Sequence, residues 1–304
     1  MNSSILPPAA SQLSEPTSIA LAERIEAIAI ATPLCERAIA TAVVQQGSGT
    51  PLLLLHGFDS SLFEFRRLQP LLATHYATWN LDLLGFGFTE RPAEIDFTPD
   101  AIKTHLYYTW KTLIGQPMIL VGASMGGAAA IDFALTHPDA VQALVLIDSA
   151  GFAKGPDISK VMVPGLGYLA TQFLSLPQVR RKVSVQAYAD PSFVTPDAEL
   201  CAALHLQAPR WRDALIAFTK SGGYNFLADR IAQISQPTLI LWGDRDRILG
   251  TADAEKFHQA IPTNQLLWMS DCGHVPHLEK PQETAIAIQT GLSQWLSLPT
   301  QTTH

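Results

Sequence analysis

The sequence is poor in cysteine, in charge and in long apolar runs. Its three cysteines, Cys35, Cys201 and Cys272, are far apart and form no CxxC or Cys/His spacing within the 304 residues. Their odd number and wide spacing argue against a disulfide framework and a structural zinc site. We therefore expect reduced thiols, no metal and a cytoplasmic protein. No stretch reaches the ~20 apolar residues that a membrane-spanning helix needs.

Positive charge is also scarce. Charged residues make up 15% of the chain, hydrophobic residues make up 47%, and the net charge is −7. This composition indicates a folded globular protein. The longest run of basic residues is the three-residue stretch 180–182. Because binding to nucleic-acid phosphates needs a concentrated positive surface, we expect no nucleic-acid partner. The N-terminal segment MNSSILPPAASQLSEP has neither the basic region nor the apolar core of a secretory signal.

Short apolar runs alternate with helical patterns along most of the chain. We predict strands at 36–46 (a sheet edge), 51–57, 76–85, 117–124, 141–151, 237–243 and 264–270. We predict helices at 64–73, 99–114, 125–138, 251–261 and 281–297. Strands that alternate with helices form a parallel sheet with helices on both faces. The predicted fold class is therefore α/β, with a mostly parallel, doubly wound sheet.

Two regions depart from this alternation. Residues 1–35 are predicted to be a polar tail followed by an amphipathic helix at 18–31. Residues 152–234 hold helical pieces broken by prolines and no comparable strand. We expect a core made of residues 36–151 and 235–304, with residues 152–234 inserted between two core strands as a helical cap.

The segment VGASMGG, residues 121–127, joins a predicted strand to a predicted helix. It fits G-x-S-x-G in the strand–turn–helix context of a nucleophile elbow, with Ser124 as the nucleophile. Small residues there let strand and helix approach closely, and the helix N-terminus directs N–H groups at the site. A dinucleotide loop is an alternative, but it needs G-x-G-x-x-G, and Ser124 replaces the second glycine. A plain structural turn is the other alternative.

A serine hydroxyl becomes a good nucleophile when a base takes its proton. His274, in DCGHVPHLEKP, follows a predicted strand and a glycine, and imidazole accepts and returns protons near neutral pH. His274 is therefore the predicted base. We interpret His56 as a buried residue with an orienting hydrogen bond, and His277 as structural.

An acid should orient the imidazole. Asp246 lies three residues past the glycine of the predicted strand 237–243, and it preserves the chain order Ser, Asp, His. We favour it on that order and on the reach of its loop. Asp148, at the end of another strand, and Asp244 remain alternatives, with a surface salt bridge to Arg245 or Arg247 as the ordinary role of Asp244.

The negative charge that develops on a carbonyl oxygen needs two N–H donors. We predict the backbone amides of Met125, which follows the nucleophile, and of Phe58, in the loop after the first buried strand. Asp59 places a charge beside this predicted oxyanion hole. We expect its side chain to face solvent, and the alternative is that its field disfavours anionic substrates.

Taken together, these motifs resemble the capped, serine-nucleophile branch of the α/β-hydrolase superfamily. The resemblance implies hydrolysis through an acyl-enzyme without a cofactor, with Ser124, His274 and Asp246 as triad and Phe58 and Met125 as oxyanion amides. Relatives of this type include carboxylesterases, C–C bond hydrolases, perhydrolases and lactonases. The matching segments are LLLLHGF (52–58), LDLLGFGFTERP (81–92), VGASMGG (121–127), LVLIDSAG (144–151), PTLILWGDRD (237–246) and CGHVPHLEKP (272–281).

The predicted cap contains an uncharged stretch at 161–179 that is followed by the basic run 180–182. We expect cap helices that line an apolar pocket, with Trp211 and Phe218 as candidate walls. Ordinary packing inside the cap is the alternative for both side chains. The substrate should be a small, mostly apolar ester or related carbonyl compound. The same stretch could also contact a membrane surface, and a ligand-binding protein without turnover is the alternative to an enzyme.

Overall fold

A single twisted sheet organises the chain in the computed structural model, which describes residues 5–152 and 166–296. Its strands are β1 (Glu26–Ile30), β2 (Ile39–Gln46), β3 (Pro51–Leu55), β4 (Ala77–Leu81), β5 (Met118–Ala123), β6 (Val141–Ile147), β7 (Thr238–Gly243) and β8 (Asn264–Met269). Their order is β1-β2-β4-β3-β5-β6-β7-β8. Strand β2 runs antiparallel to both of its neighbours, and the other pairs are parallel. The predicted α/β class with a mostly parallel sheet is confirmed.

Helices cover both faces of the sheet. They are α1 (Pro16–Ala22), α2 (Gln69–Leu72), α3 (Pro99–Leu113), α4 (Met125–Thr136), α5 (Leu166–Leu174), α6 (Pro177–Ala187), α7 (Pro196–Cys201), α8 (Trp211–Lys220), α9 (Ala252–Ala260), α10 (Pro276–Glu279) and α11 (Pro281–Ser293). Successive side chains of a strand point to opposite faces. Accordingly, Leu53 and Leu55 join one hydrophobic core, while Leu52 and Leu54 join the other. Burial on both faces explains why the strand reads as a continuous apolar run.

The helix predicted at 18–31 is wrong beyond Ala22. The strand predicted at 36–46 is present as β2 (Ile39–Gln46), but its predicted place at the sheet edge is wrong. Helix α1 ends at Ala22, and residues 26–30 form β1, which pairs antiparallel with β2 and takes the sheet edge. The apolar positions of EAIAI fit a strand period as well as a helical one, and pairing with β2 decides between them. The predicted helix at 64–73 is also interrupted, since a 3₁₀ turn at Leu62–Phe65 precedes α2.

The predicted polar tail is packed in the residues that the structure describes. Both Glu15 carboxylate oxygens accept hydrogen bonds from Arg67, at 2.6 and 2.8 Å. Asp197, on α7, accepts from the backbone N–H groups of Ser14 and Glu15 and from the Ser18 hydroxyl. Residues 14–18, which we call the N-terminal strap, therefore join the core to α7.

The described residues between β6 and β7, 166–234, are called the insert. They contain α5 to α8 and short 3₁₀ turns, and no strand is assigned among them. Of the uncharged stretch predicted at 161–179, residues 161–165 lie outside the described residues. Among the helices that the structure does describe, none combines the length and apolarity required to cross a membrane. Side chains of the insert line one cavity together with residues that follow the carboxyl ends of β3, β5 and β8.

Candidate active site

Ser124 occupies a sharp turn between β5 and α4. Its φ of 51° and ψ of −119° lie in a region that residues with a side chain rarely adopt. The turn is held by the Ser124 N–H, which donates to Ile147 O at 3.0 Å, and by the Ser124 carbonyl, which accepts from Gly127 and Ala150. A Cβ on Gly126 would lie 2.1 Å from Leu55 O. Glycine therefore lets the turn pack directly against β3.

His274 and Asp246 are hydrogen-bonded to each other. The Nδ1 to Oδ2 distance is 2.9 Å, and both residues are buried. Because a carboxylate accepts and does not donate, Nδ1 carries the proton and Nε2 is left as the acceptor. His274 and Ser124 line the same cavity. The Asp246 carboxylate is fixed through Oδ1, which accepts from the N–H groups of Ile248 (2.7 Å) and Leu249 (3.1 Å).

The two alternative acids hold different positions. Asp148 is fully buried, and its Oδ1 accepts the Gly243 N–H at 3.0 Å. Asp244 is exposed, and its Oδ1 accepts the Cys272 N–H at 3.3 Å. The surface salt bridge expected for Asp244 is not formed with Arg245, whose partner is Asp271. Of the three acids, Asp246 is the one recorded in a hydrogen bond with the imidazole.

The loop after β3 passes next to Ser124. A Cβ on Gly57 would lie 3.3 Å from the Ser124 Cβ. None of the hydrogen bonds recorded for the described residues uses the N–H of Phe58 or of Met125. Both amides remain the predicted oxyanion donors. The Phe58 ring is half exposed and packs near Phe86 and Phe218, with ring centroids 6.1 and 6.0 Å away.

His56 supports this loop from below. Its Nε2 accepts the Leu83 N–H at 3.1 Å, so Nδ1 is protonated and donates to Gly57 O at 2.8 Å. Complete burial lowers the pKa of His56 to about 4. The ring is therefore neutral at physiological pH, and its geometry is the orienting role expected from the sequence.

Glu64 is a buried residue at this loop that the sequence patterns missed. Its carboxylate accepts from the Gly57 N–H at 2.9 Å and from His277 Nε2 at 3.1 Å, and it lines the cavity. Burial acts to raise the pKa of Glu64, but the hydrogen bond and charge of His277 outweigh it and lower the pKa to about 2. Glu64 thus holds the loop as an anion. Its position inside a predicted helix gave no signal of this contact.

Asp59 does not face solvent, so that expectation is wrong. The residue is 8% exposed and has a φ of 48°. Its carboxylate accepts from three side chains of the insert: Arg180 Nη1 at 2.6 Å, Trp211 Nε1 at 2.7 Å and His205 Nε2 at 3.1 Å. Burial acts to raise the pKa of Asp59, but His205 and Arg180 outweigh it and lower the pKa. We call these four residues the Asp59 cluster.

The cavity beside Ser124 has a volume of about 360 Å³. Apolar side chains from both core and insert form much of its wall, including Phe58, Leu174, Val179, Val183 and Ile248. The candidate walls Trp211 and Phe218 are not among its lining residues. Trp211 belongs to the Asp59 cluster, and Phe218 packs against Phe58 and Phe86.

Three possible metal ligands meet beside the predicted nucleophile loop. Potential ligand atoms of Asp148, Asp246 and His274 lie within 4.8 Å of one another. A metal that bound His274 through Nδ1 would have to displace the proton that Nδ1 donates to Asp246. The observed hydrogen bond therefore fits a proton-transfer site better than a metal site.

Known proteins share this sequence pattern. The family model for the alpha/beta hydrolase fold matches residues 50–281. The alpha/beta hydrolase domain-containing protein VTE7 of Arabidopsis thaliana is 33% identical over 285 residues, which cover 91% of this chain and 86% of that protein. Lipase 1 of Psychrobacter immobilis is 28% identical, covering 78% and 75%. The 2-hydroxy-6-oxo-6-(2'-aminophenyl)hexa-2,4-dienoic acid hydrolase of Metapseudomonas resinovorans is 29% identical, covering 84% and 88%.

Proposed function

The chain belongs to the alpha/beta hydrolase family, and from that premise we propose that it is a serine hydrolase for a small, mostly apolar carboxylic ester. Ser124 is the nucleophile, His274 the general base and Asp246 the orienting acid. The observation that carries the proposal is the bond from His274 Nδ1 to Asp246 Oδ2 at 2.9 Å, on the wall of the cavity that contains Ser124. This bond leaves Nε2 able to take the serine proton.

The proposed reaction has two steps. Ser124 Oγ attacks the ester carbonyl while His274 takes its proton, and the same proton then goes to the departing alcohol. Water, deprotonated by His274, next attacks the acyl-enzyme, and the acid leaves as Ser124 regains its proton. The Phe58 and Met125 amides bind the oxyanion in both steps. Asp246 remains ionised and stabilises the imidazolium.

The substrate class follows from the cavity. A volume of about 360 Å³ with much apolar wall suits one short acyl or alcohol group rather than a long chain held along its whole length. We propose that the insert acts as a cap that selects this group. Free cysteines at all three positions fit a reducing compartment, so the proposed location is the cytoplasm.

C–C bond hydrolysis on the same triad is a second candidate. It is favoured by similarity to the hexadienoic acid hydrolase of Metapseudomonas resinovorans. The two reactions are separated by assaying p-nitrophenyl esters of increasing chain length beside a vinylogous 1,5-diketone. Faster turnover of the diketone would replace the ester proposal.

The decisive test is Ser124→Ala on the ester panel. We expect kcat to fall by about 10⁵ to 10⁶ with a folded protein, as for other triad nucleophiles. A fluorophosphonate probe should label the wild type at Ser124. Retained ester turnover in the variant would overturn the assignment. Absence of labelling in folded wild type would favour a ligand-binding protein.

We also propose a membrane surface as a weak partner of the insert. Large apolar side chains are exposed on and beside α5 and α6: Tyr168, Leu169, Phe173, Leu176 and Val183. Residues 166–187 contain no acidic residue and three basic ones. Arg180 belongs to the Asp59 cluster and Arg181 is paired with Glu199, so Lys182 is the basic residue of this run that has no ion pair recorded in the described residues and that faces anionic lipid in the proposal. Val183 and Leu174 also line the cavity, so the exposed face reaches its mouth.

The membrane proposal is tested by co-sedimentation with vesicles of phosphatidylcholine and phosphatidylglycerol. Leu169→Glu/Phe173→Glu should reduce binding by at least about tenfold, since each side chain contributes apolar area. Ile286→Glu, on α11, is the matched control because Ile286 is 62% exposed and lies outside the insert. Equal loss with the control, or no wild-type binding, would refute the contact. Hydrolysis of soluble esters should survive in both variants.

A further inference from the structure

Asp148 is a buried carboxyl group that has no role in the proposed reaction. It directly follows β6, with a φ of 40°, and its N–H donates to Leu241 O at 3.0 Å. The side chain is fully buried. Oδ1 accepts the Gly243 N–H, while no donor in the described residues reaches Oδ2.

The groups that face Asp148 are acidic or neutral. Asp246 and His274 come from the loops after β7 and β8, with potential ligand atoms within 4.8 Å. Cys272, in the loop after β8, and Glu279, on α10, are the other titratable groups close enough to interact electrostatically with Asp148. None of the ion pairs recorded for the described residues gives Asp148 a cationic partner. Burial, followed by the Asp246 carboxylate, raises the pKa of Asp148 well above its ordinary value.

If Asp148 and Asp246 were both ionised, the two buried carboxylates would repel each other strongly. One proton shared between them replaces this repulsion with a hydrogen bond. We propose that Asp148 is a positioning residue, which is protonated in the active enzyme and donates a hydrogen bond from Oδ2 to the Asp246 carboxylate. The inference rests on the proposed function, since it assigns Asp246 to the triad. It adds a fourth donor to the three already bound by Asp246.

This bond has a consequence for the reaction. Four donors fix the plane of the Asp246 carboxylate and keep it ionised when His274 becomes an imidazolium. If Asp148 lost its proton, the donor would become a second anion, and the pair would repel. The proposal therefore predicts that Asp148 supports activity as a neutral group and opposes it as an anion.

Two substitutions separate these states. The Asn amide in Asp148→Asn can donate to Asp246 while its carbonyl accepts the Gly243 N–H, so kcat at pH 7 should stay within about threefold. Asp148→Leu removes the donor, and kcat should fall by about 10- to 100-fold with a small change in KM. The wild type should lose kcat at alkaline pH where Asp148 ionises, and Asp148→Asn should not. Asp132→Asn, in another buried carboxylate, is the control and should leave the pH profile unchanged.

A stability measurement tests the proton without any turnover. Asp148 binds its proton more tightly in the folded chain than in the unfolded chain, so its own contribution to the stability of the wild type should fall as pH rises above about 4. Asp148→Asn has no such proton. Its melting temperature relative to wild type should therefore increase with pH, including in a Ser124→Ala background.

The outcomes are distinct. Parallel melting curves across pH would show that Asp148 is ionised in the folded state and would overturn the proposal. So would a loss of kcat in Asp148→Asn as large as in Asp148→Leu. If Asp148→Leu fails to fold, the pH profile of Asp148→Asn decides alone. If Ser124→Ala retains activity while the melting curves diverge, the proposed function fails and the shared proton stands.

Discussion

Removing the Asp59 carboxylate should loosen the insert and slow the reaction together. Asp59→Ala leaves Arg180, His205 and Trp211 without their shared acceptor. Breaking a largely buried ion pair by deleting one partner costs about 3–5 kcal/mol, because the remaining charge is left without compensation. We expect a loss of stability in that range. We also expect a fall in kcat/KM, because Asp59 directly follows Phe58.

The assay is urea unfolding of four proteins: wild type, Asp59→Ala, Arg180→Ala and the double variant. If the uncompensated charge of Arg180 causes much of the loss, removing Arg180 from the Asp59→Ala protein should cost little. The coupling energy should then be at least about 1.5 kcal/mol. Asp213→Ala is the matched control, because its pair with Arg210 is exposed and is worth under about 1 kcal/mol.

The reasoning is refuted if the losses of Asp59→Ala and Arg180→Ala simply add. It is also refuted if Asp59→Ala is no less stable than Asp213→Ala. A stability loss with unchanged kcat/KM would preserve the contact between core and insert but would show that it does not affect the oxyanion loop.

Three further predictions concern the loop, the elbow and the triad acid. The pKa of Glu64 falls from its ordinary 4.5 to about 2, so the stability contributed by the ionised Glu64 is present above pH 4.5 and is lost as pH falls toward 2. The melting temperature of Glu64→Gln should therefore change less than that of the wild type between pH 4.5 and pH 2, and equal changes in the two proteins would contradict an ionised Glu64. Gly126→Ala should lower the free energy of unfolding by about 1–3 kcal/mol or more, because the new Cβ would clash with Leu55 O. The control Gly250→Ala has open space around the new Cβ and should lose about 1–2 kcal/mol through its positive φ alone, so equal losses in the two variants would show that the contact of Gly126 with β3 does not require glycine. Asp246→Asn should lower kcat by about 10⁴ in steady-state kinetics, and Asp244→Asn should have little effect. The opposite result would assign the role of the proposed triad acid to Asp244.

The sheet and the strand-end residues could be predicted because their patterns are local. A continuous apolar run followed by a polar residue identifies both the strand and the point where it ends. Ser124 directly follows β5, while Asp246 and His274 lie three and five residues past the ends of β7 and β8. Parallel strands bring these ends to one edge of the sheet. The position at a strand end also makes Asp148 a candidate acid. Sequence alone does not decide between Asp148 and Asp246, because the decision depends on which carboxylate accepts the hydrogen bond from His274 Nδ1.

The contacts that the sequence did not predict join distant parts of the chain. Asp59 was expected in solvent because its insert partners lie 121 to 152 residues away. Glu64 was hidden in a helical pattern, and its partner His277 is 213 residues away. Strand β1 was missed because an alternating Ala/Ile segment fits either period until a neighbouring strand pairs with it. Local patterns carry no information about such partners.

The N-terminal strap places a constraint on the order of folding. Ser14 and Glu15 are synthesised well before Asp197, which accepts their backbone N–H groups from 183 and 182 positions further along the chain. Contacts with so large a separation form slowly, because a long loop must close before they contribute. The N-terminal strap therefore cannot form its contacts with α7 until α7 has been synthesised. In a nascent chain that stops before residue 197, residues 14–18 lack the carboxylate that accepts their hydrogen bonds.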